Sequence, residues 1–154
     1  MKHVTIIGAG KIGGAIARML AETGDYTVTV ADRSADQLIK LGAHPAVSTL
    51  ELDISDATAL DAALSGQFAV LSAAPFHLTG AIAESAARTG THYLDLTEDV
   101  ATTRHVEDLA RSARSAFIPQ CGLAPGFISI VAHDLTKHFD TLDTVRMRVG
   151  ALPQ

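Results

Sequence analysis

Short apolar runs alternate with amphipathic helical patterns along most of this chain, and glycines mark the ends of the helical patterns. Glycine is favoured just after a helix because it adopts left-handed backbone angles without steric cost. Repeated strand–helix–strand units require right-handed crossovers, so the pattern predicts an α/β fold with a parallel sheet and helices on both faces. The glycines that stand just before the next apolar run are Gly24, Gly42, Gly66 and Gly90.

The sequence predicts a doubly wound sheet of about six strands, each a short apolar run. Helices fill the intervals, and the second begins at a capping box formed by Ser34 and Gln37. The predicted strands are residues 2–8, 26–32, 47–53, 68–74, 92–96 and 116–120. One apolar face is indicated for the first helix by the spacing of Ile12, Ala15, Ile16, Met19 and Leu20.

The pattern changes after the sixth strand. Apolar residues recur at every fourth position from Phe127 to Phe139, which predicts one more helix. Beyond it, residues 145–149 alternate between apolar residues and arginine, the period of a half-buried strand. We therefore add a terminal helix and a terminal strand to the predicted sheet.

Composition and charge limit the functions open to this chain. A formal net charge of −5, without a basic run, argues against a nucleic-acid or anionic-membrane surface. The single cysteine, Cys121, excludes an internal disulfide framework and a cysteine-rich zinc site. His133 and His138 lie on different faces of a helix, so no metal site is predicted. Without a signal peptide or a membrane-length apolar run, the protein is expected to be cytoplasmic.

A G-x-G-x-x-G sequence follows the first predicted strand and opens the first helix. The hexamer is common by chance, but this strand–turn–helix context is the one that dinucleotide binding requires. Gly8 permits the tight turn, Gly10 lets the backbone approach a pyrophosphate, and Gly13 lets the helix pack on the strand. The prediction is a Rossmann-type fold with the phosphates at the helix N-terminus; the alternative is a glycine-rich turn without a ligand. The predicted cofactor-binding residues here are Gly8, Ala9, Gly10, Lys11, Ile12 and Gly13.

Asp32 ends the second predicted strand, where an acidic residue binds the hydroxyls of the adenine ribose. A carboxylate there repels a 2′-phosphate, which favours NAD as the cofactor. The neighbouring Arg33 either stacks on adenine or, if Asp32 turns away, holds a 2′-phosphate. We predict NAD, with NADP as the alternative.

Two further segments are predicted to contact the cofactor. Asp53 and Ile54 follow the third strand and would flank the adenine, although Asp53 is equally suited to capping the next helix. Ala73, Ala74 and Pro75 follow the fourth strand, at the switch point where open α/β sheets bind ligands. Their small side chains leave room for the ribose and nicotinamide, and would also allow close packing of the next helix.

Four segments together carry the pattern of a known family. They are Gly8-Ala9-Gly10-Lys11-Ile12-Gly13, Ala73-Ala74-Pro75-Phe76, His92-Tyr93-Leu94-Asp95-Leu96 and Gly122-Leu123-Ala124-Pro125-Gly126. The chain resembles the N-terminal NAD(P)-binding domain of the saccharopine dehydrogenase-like family, and most closely its lysine 6-dehydrogenase-type members. The resemblance implies an NAD(P)-dependent oxidoreductase acting on a carbon–nitrogen bond of an amino acid or polyamine.

The resemblance also implies a division of the chain. Residues 1–140 are then the dinucleotide-binding domain, and residues 141–154 begin a truncated second domain that binds the amino-acid substrate and forms a homodimer. We expect the 154-residue chain to bind the cofactor and to be inactive by itself.

Catalytic candidates are few. Asp95 and Glu98 follow the fifth strand and could bind a substrate ammonium or relay a proton, although capping of the next helix is the favoured interpretation. Cys121 adjoins no base or cation in the sequence, so a buried, inert thiol is favoured over a catalytic one.

Two other functions fit the same cofactor motif. One is a regulatory nucleotide-sensing module of the kind attached to potassium-transport systems. The other is a catalytically dead scaffold that keeps NAD for stability. The segment from Gly122 to Gly126 and the amphipathic terminal strand favour the enzyme.

Overall fold

The computed structural model describes residues 1–150. Strands and helices alternate along the chain as the sequence predicts, and no helix in this range is long and apolar enough to cross a membrane. The elements are β1 (Lys2–Ile7), α1 (Lys11–Glu22), β2 (Tyr26–Asp32), α2 (Ala35–Lys40), β3 (Val47–Glu51), α3 (Ala57–Leu64), β4 (Ala69–Ser72), α4 (Phe76–Thr89), β5 (His92–Asp95), α5 (Val100–Ala110), β6 (Phe117–Ile118) and α6 (Phe127–Thr136).

The six strands form one parallel sheet in the order β3-β2-β1-β4-β5-β6. The strand order reverses between β1 and β4, where Ile7 pairs with Ser72 at the carboxyl ends of the two strands. Open α/β sheets bind ligands outside the carboxyl ends of their strands at such a switch point. The predicted doubly wound, Rossmann-type fold is confirmed.

Helices cover both faces of the sheet. Ile6 belongs to an apolar cluster with Ala17 of α1, whereas its neighbour Ile7 belongs to a second cluster with Leu60 of α3 and Val106 of α5. Successive side chains of a strand point to opposite faces, so β1 is buried on both sides. This double burial explains why four successive residues of β1, Val4 to Ile7, are buried rather than every second one.

The ends of the helices follow the local sequence. The hydroxyl oxygen of Ser34 accepts the backbone N–H of Gln37 at the start of α2, which confirms Ser34 as the N-cap. The N–H of Ser34 donates to Asp32 rather than to Gln37, so the predicted capping box forms only in part. Asp56 caps α3 and Asp99 caps α5 in the same way. All four glycines predicted to end helices have a positive φ: Gly24, Gly42, Gly66 and Gly90.

The first helix packs through small residues together with only part of its predicted apolar face, since Ile16 and Leu20 are half-buried against the core. Gly13 and Ala17 are buried, whereas Ile12 and Met19, on the predicted apolar face, are 59% and 68% exposed. A Cβ atom on Gly13 would overlap the carbonyl oxygen of Gly8. The helix therefore lies too close to β1 for a larger side chain at this position.

The C-terminal part of the described chain differs from the prediction. Helix α6 forms where the spacing indicates, but none of its residues is buried. Residues 145–149, predicted as a half-buried strand, belong to no strand and pair with no other segment within residues 1–150, so this prediction is wrong. Apolar alternation makes a strand only where another strand satisfies its backbone groups. Residues 151–154 of the predicted second domain lie outside the described residues.

Candidate functional site

The turn between β1 and α1 lies directly against the loop that follows β4. Gly8 has a φ of 112°, and a Cβ atom on it would lie 2.8 Å from the carbonyl oxygen of Ala73. The N–H of Gly8 donates to the carbonyl of Ala31 at 2.8 Å, and the N–H of Ala73 donates to the carbonyl of Ile7 at 2.8 Å. Positive φ and this close approach both require glycine at position 8.

Gly10 has a different reason to be glycine. It precedes α1, and a Cβ atom built on it would meet no atom of the chain within 4 Å. No side chain caps this helix, and its first turn, which includes Lys11 and the exposed Ile12, carries no acidic residue. The N-terminal N–H groups of α1 and its dipole therefore suit an anion, and the bare backbone at Gly10 suits the close approach of a pyrophosphate.

Asp32 places a carboxylate beside this turn. Its Oδ2 accepts the N–H of Ala9 at 2.8 Å, and its Oδ1 accepts the N–H of Ser34 at 2.9 Å. Each oxygen of an ionised carboxylate has two lone pairs, so both can still accept hydroxyl groups of a ribose. Arg33, the next residue, is exposed. These residues fit the adenosine half of a dinucleotide.

Asp53 and Ile54 lie next to Asp32, because the N–H of Leu52 donates to the carbonyl of Asp32 at 3.0 Å. The carboxylate of Asp53 accepts both the N–H and the hydroxyl of Ser55, and these hydrogen bonds lower its pKa. Asp53 does not cap α3, which removes the alternative weighed from the sequence. Ile54 is half-buried and packs against the apolar cluster under the sheet.

The residues after β4 combine small side chains with close packing. Ala73 and Ala74 are half-buried and pack against opposite apolar clusters, while Pro75 is exposed and precedes α4. Ser72, just before them, is buried, and its hydroxyl contacts that of Thr79 at 3.3 Å. Close packing and a small-residue surface at the switch point therefore occur together.

Asp95 is the last residue of β5, at the carboxyl edge of the sheet, but its side chain is buried. Its carboxylate accepts the hydroxyl of Tyr93 and the backbone N–H groups of Thr97 and Gln120. Burial and the charge of Asp95 raise the pKa of Tyr93 well above its usual range, so this hydroxyl stays protonated and donates. Asp95 thus holds segments of the chain together and has no free face for a substrate.

The other two catalytic candidates have no activating surroundings. Glu98 is exposed, and the helix cap belongs to its neighbour Asp99. Cys121 is exposed, not buried as favoured from the sequence, but its sulfur donates to the carbonyl of Ile118 at 3.2 Å. Partial burial and then the charge of Asp95 raise the pKa of the thiol. A raised pKa lowers the thiolate fraction, so the predicted lack of reactivity has a physical cause.

The structure thus brings the adenosine-side and switch-point candidates to one edge of the sheet, and Asp95 also lies there, because it pairs with Ser72 across β4 and β5. The network around Asp95 was missed by the sequence analysis. One signal for it was present: Tyr93 and Asp95 are two residues apart on a strand and must share a face.

Comparison with known proteins identifies the chain. A family model described as "Saccharopine dehydrogenase NADP binding domain" matches residues 4–118. The chain belongs to this family. The closer likeness to lysine 6-dehydrogenase-type members stays a prediction.

Two curated relatives carry the same name, saccharopine dehydrogenase [NADP(+), L-glutamate-forming]. The one from Saccharomyces cerevisiae is 27% identical over 151 residues, which is 98% of this chain and 32% of the relative. The one from Pyricularia oryzae is 28% identical over 132 residues, or 85% of this chain and 29% of the relative. This saccharopine dehydrogenase family domain therefore spans about a third of the length of the curated relatives it matches.

Solved structures agree with this assignment. The apo saccharopine dehydrogenase (L-Glu forming) from Saccharomyces cerevisiae superposes with a TM-score of 0.79 at 26% identity, covering 90% of this chain and 31% of that one. The NAD(P)-binding domain of an exopolyphosphatase-related protein from Archaeoglobus fulgidus gives 0.66 at 16% identity, covering 89% and 99%. The second likeness concerns the fold alone.

Proposed function

We propose that this chain is the cofactor-binding domain of an NAD(P)-dependent oxidoreductase that acts on a carbon–nitrogen bond of an amino acid. The observation that carries the proposal is the bare backbone at Gly10, at the uncapped start of α1 and beside the carboxylate of Asp32. Membership of the saccharopine dehydrogenase family supports an enzyme over a regulatory nucleotide-sensing module. A nicotinamide cofactor bound here supplies hydride transfer.

For the cofactor we propose a preference for NAD. A carboxylate at Asp32, held by the N–H groups of Ala9 and Ser34, can accept ribose hydroxyls and repels a 2′-phosphate. The curated relatives are named as NADP-dependent enzymes. In the NADP alternative, the exposed guanidinium of Arg33 binds the 2′-phosphate.

For the whole enzyme we propose that a second domain, beginning within residues 141–154, contributes the amino-acid substrate site and a homodimer contact. The greater length of the relatives and the lack of buried residues in α6 support this division. We also propose that the enzyme is cytoplasmic. We further propose that it has no nucleic-acid or membrane partner, because a net charge of −5 disfavours binding to anionic surfaces.

The direct test is a titration of the purified chain with NADH and with NADPH, followed by the fluorescence of the bound nicotinamide. The proposal expects saturable binding of a reduced dinucleotide, reversed by excess oxidised cofactor, and tighter binding of NADH than of NADPH. Absence of binding to both would refute the cofactor role. Tighter binding of NADPH would refute only the proposed preference.

A further inference from the structure

The buried carboxylate of Asp95 connects separate segments at the carboxyl edge of the sheet. Its Oδ2 accepts the hydroxyl of Tyr93, on the same strand, at 2.8 Å. Its Oδ1 accepts two backbone N–H groups at 3.0 Å each, one from Thr97 in the loop to α5 and one from Gln120 after β6. A buried charge is tolerated only where donors replace the lost water. Asp95 therefore fixes the relative positions of its donors.

The segment after β6, residues 120–126, is held at this point twice. Besides the contact from Gln120 to the carboxylate, the N–H of Cys121 donates to the backbone carbonyl of Asp95 at 2.8 Å. Gln120 has a φ of 62°, and within residues 1–150 it is the one non-glycine residue with a positive φ. Side-chain-bearing residues rarely adopt this conformation, so it depends on the hydrogen bonds that hold it.

Within itself, the loop of residues 120–126 is compact. Gly126 has a φ of 126°, and a Cβ atom on it would overlap the carbonyl oxygen of Gly122. The N–H of Phe127 donates to that same carbonyl at 2.9 Å. A Cβ atom on Gly122 would lie 3.1 Å from the carbonyl oxygen of Leu96. The loop is thus a folded unit pressed against the end of β5, and Asp95 is its attachment.

This loop lies at the nicotinamide side of the proposed site. All strands are parallel, so the loop after β6 shares the carboxyl edge with Gly10 and Asp32. Asp32, at the end of β2, marks the adenosine half, on the other side of the switch point from β4, β5 and β6. A dinucleotide with its pyrophosphate at Gly10 extends its nicotinamide toward this second half of the sheet.

We propose that Asp95 is a positioning residue, whose buried carboxylate fixes residues 120–126 as the outer wall of the nicotinamide half of the cofactor site. Asp95 itself contacts neither cofactor nor substrate. This inference rests on the proposed cofactor role of the chain. The segment from Gly122 to Gly126, which carries part of the family resemblance, would thus line the nicotinamide half of the site, and its position would depend on Asp95.

The test compares binding of NADH, which spans both halves of the site, with binding of ADP, which fills only the adenosine half. Asp95→Ala should weaken NADH binding about tenfold and change ADP binding less than about twofold. Asp95→Asn should recover most of the loss. Its amide oxygen can still accept the N–H groups of Thr97 and Gln120, and the hydroxyl of Tyr93 can turn to accept from the amide nitrogen.

Asp61→Ala is the matched control. Asp61 also accepts three hydrogen bonds, one from the hydroxyl of Ser85 and two from the guanidinium of Arg88, but it joins α3 to α4 on a helical face. Its loss should lower the melting temperature and leave the ratio of NADH to ADP affinity unchanged. That ratio therefore separates the positioning of the loop from a general loss of stability.

If Asp95→Ala does not fold, Tyr93→Phe supplies the same readout. Phenylalanine keeps the ring that stacks on Phe117 with centroids 5.3 Å apart, but leaves Oδ2 of Asp95 without its donor. The ratio of NADH to ADP affinity should then fall below that of the wild type. A ratio unchanged in the folded variants would overturn the role of Asp95 and leave the proposed function intact. A wild-type chain that binds neither NADH nor NADPH would overturn both.

Discussion

The backbone N–H of Ala9 donates to Oδ2 of Asp32 at 2.8 Å and ties the glycine turn to the end of the second strand. The carboxylate predicted to bind the ribose thus also holds the turn that is predicted to bind the phosphates. One side chain couples the two parts of the adenosine half. A change at Asp32 should therefore act on cofactor affinity through both contacts.

Asp32→Ser should weaken NAD binding about tenfold or more, because each charge-assisted hydrogen bond to a ribose hydroxyl contributes roughly 1.5–3 kcal/mol. Loss of the charge also removes the repulsion of a 2′-phosphate, so the difference between NAD and NADP affinity should narrow. Titrations of wild type and variant with NADH and NADPH measure both effects.

Asp36→Ser is the control for this pair of titrations, since Asp36 is exposed in the first turn of α2. It should leave both affinities unchanged. A wild-type chain that prefers NADP would contradict the role assigned to Asp32.

Gly10→Val should abolish cofactor binding with little change in the melting temperature of the free protein. The backbone angles of Gly10, φ −69° and ψ −174°, are open to any residue, and a Cβ atom there meets no atom of the chain within 4 Å. A branched side chain would instead occupy the position that the pyrophosphate needs. Calorimetry of the free protein and a titration with NADH test the two halves of this prediction.

Gly13→Val provides the contrast within the same motif. Its Cβ atom would overlap the carbonyl oxygen of Gly8, so the melting temperature itself should fall. If Gly10→Val binds NADH as tightly as wild type does, the ligand binds elsewhere on the chain.

These two glycines illustrate what the sequence could and could not predict. The strand–turn–helix context located the motif, and the alternation of apolar runs predicted the parallel sheet and its helices. The packing face of α1 is predicted only in part: Ile16 and Leu20 pack against the core, whereas Ile12 and Met19 are exposed. The close approach of the helix to β1 instead selects Gly13 and Ala17, and that distance is a tertiary property.

Local sequence patterns also do not predict contacts between residues that are far apart in the sequence. Asp95 was interpreted as a candidate ligand or helix cap because its partner Gln120 lies 25 residues away in the sequence. The segment of residues 145–149 has the period of a strand, but its backbone pairs with no edge within residues 1–150. In both cases the structure depends on residues that a local pattern does not contain.

A pH-dependent contribution to stability is expected from the ion pair between Asp61 and Arg88. Hydrogen bonds from Arg88 and then from Ser85 hold the pKa of Asp61 below its ordinary value of 3.8. A pKa that is lower in the folded than in the unfolded state stabilises the folded protein at any pH above the unfolded-state pKa. This stabilisation is lost as the pH falls through the folded-state pKa. The pair is partly exposed, so its contribution should be at most about 1 kcal/mol.

Urea unfolding of wild type and Asp61→Asn at neutral and at acidic pH measures this contribution. The difference in the free energy of unfolding should be present at neutral pH and shrink below the ordinary pKa of an aspartate. A difference that is constant with pH would contradict the assignment.

Self-association of the 154-residue chain is expected through α6 and the segment after it. Phe127, Ile130 and Phe139 are 59%, 69% and 63% exposed, which is unusual for large apolar residues so close together in the sequence. Sedimentation velocity at increasing protein concentration should show dimers or larger species. Phe127→Ser combined with Phe139→Ser should shift the protein toward the monomer.

Val100→Ser is the matched control for self-association, since Val100 is equally exposed, at 60%, but belongs to α5 rather than to α6. It should leave the distribution of species unchanged. A wild-type chain that stays monomeric at high concentration would contradict this prediction.

The 154-residue chain should bind NAD but produce no NADH from lysine, saccharopine or related amines. Hydride transfer needs a second wall that holds the substrate carbon against the nicotinamide and excludes water. At the carboxyl edge, Asp95 is buried with its donors, Cys121 has a raised pKa, and Glu98 is exposed. None of these groups is placed to accept the proton that an amine must lose when it is oxidised.

The measurement is NADH absorbance during long incubation of concentrated chain with NAD and each amine, with Gly10→Val as the control for background turnover. Steady NADH production by wild type alone would show that residues 1–154 already form a complete active site.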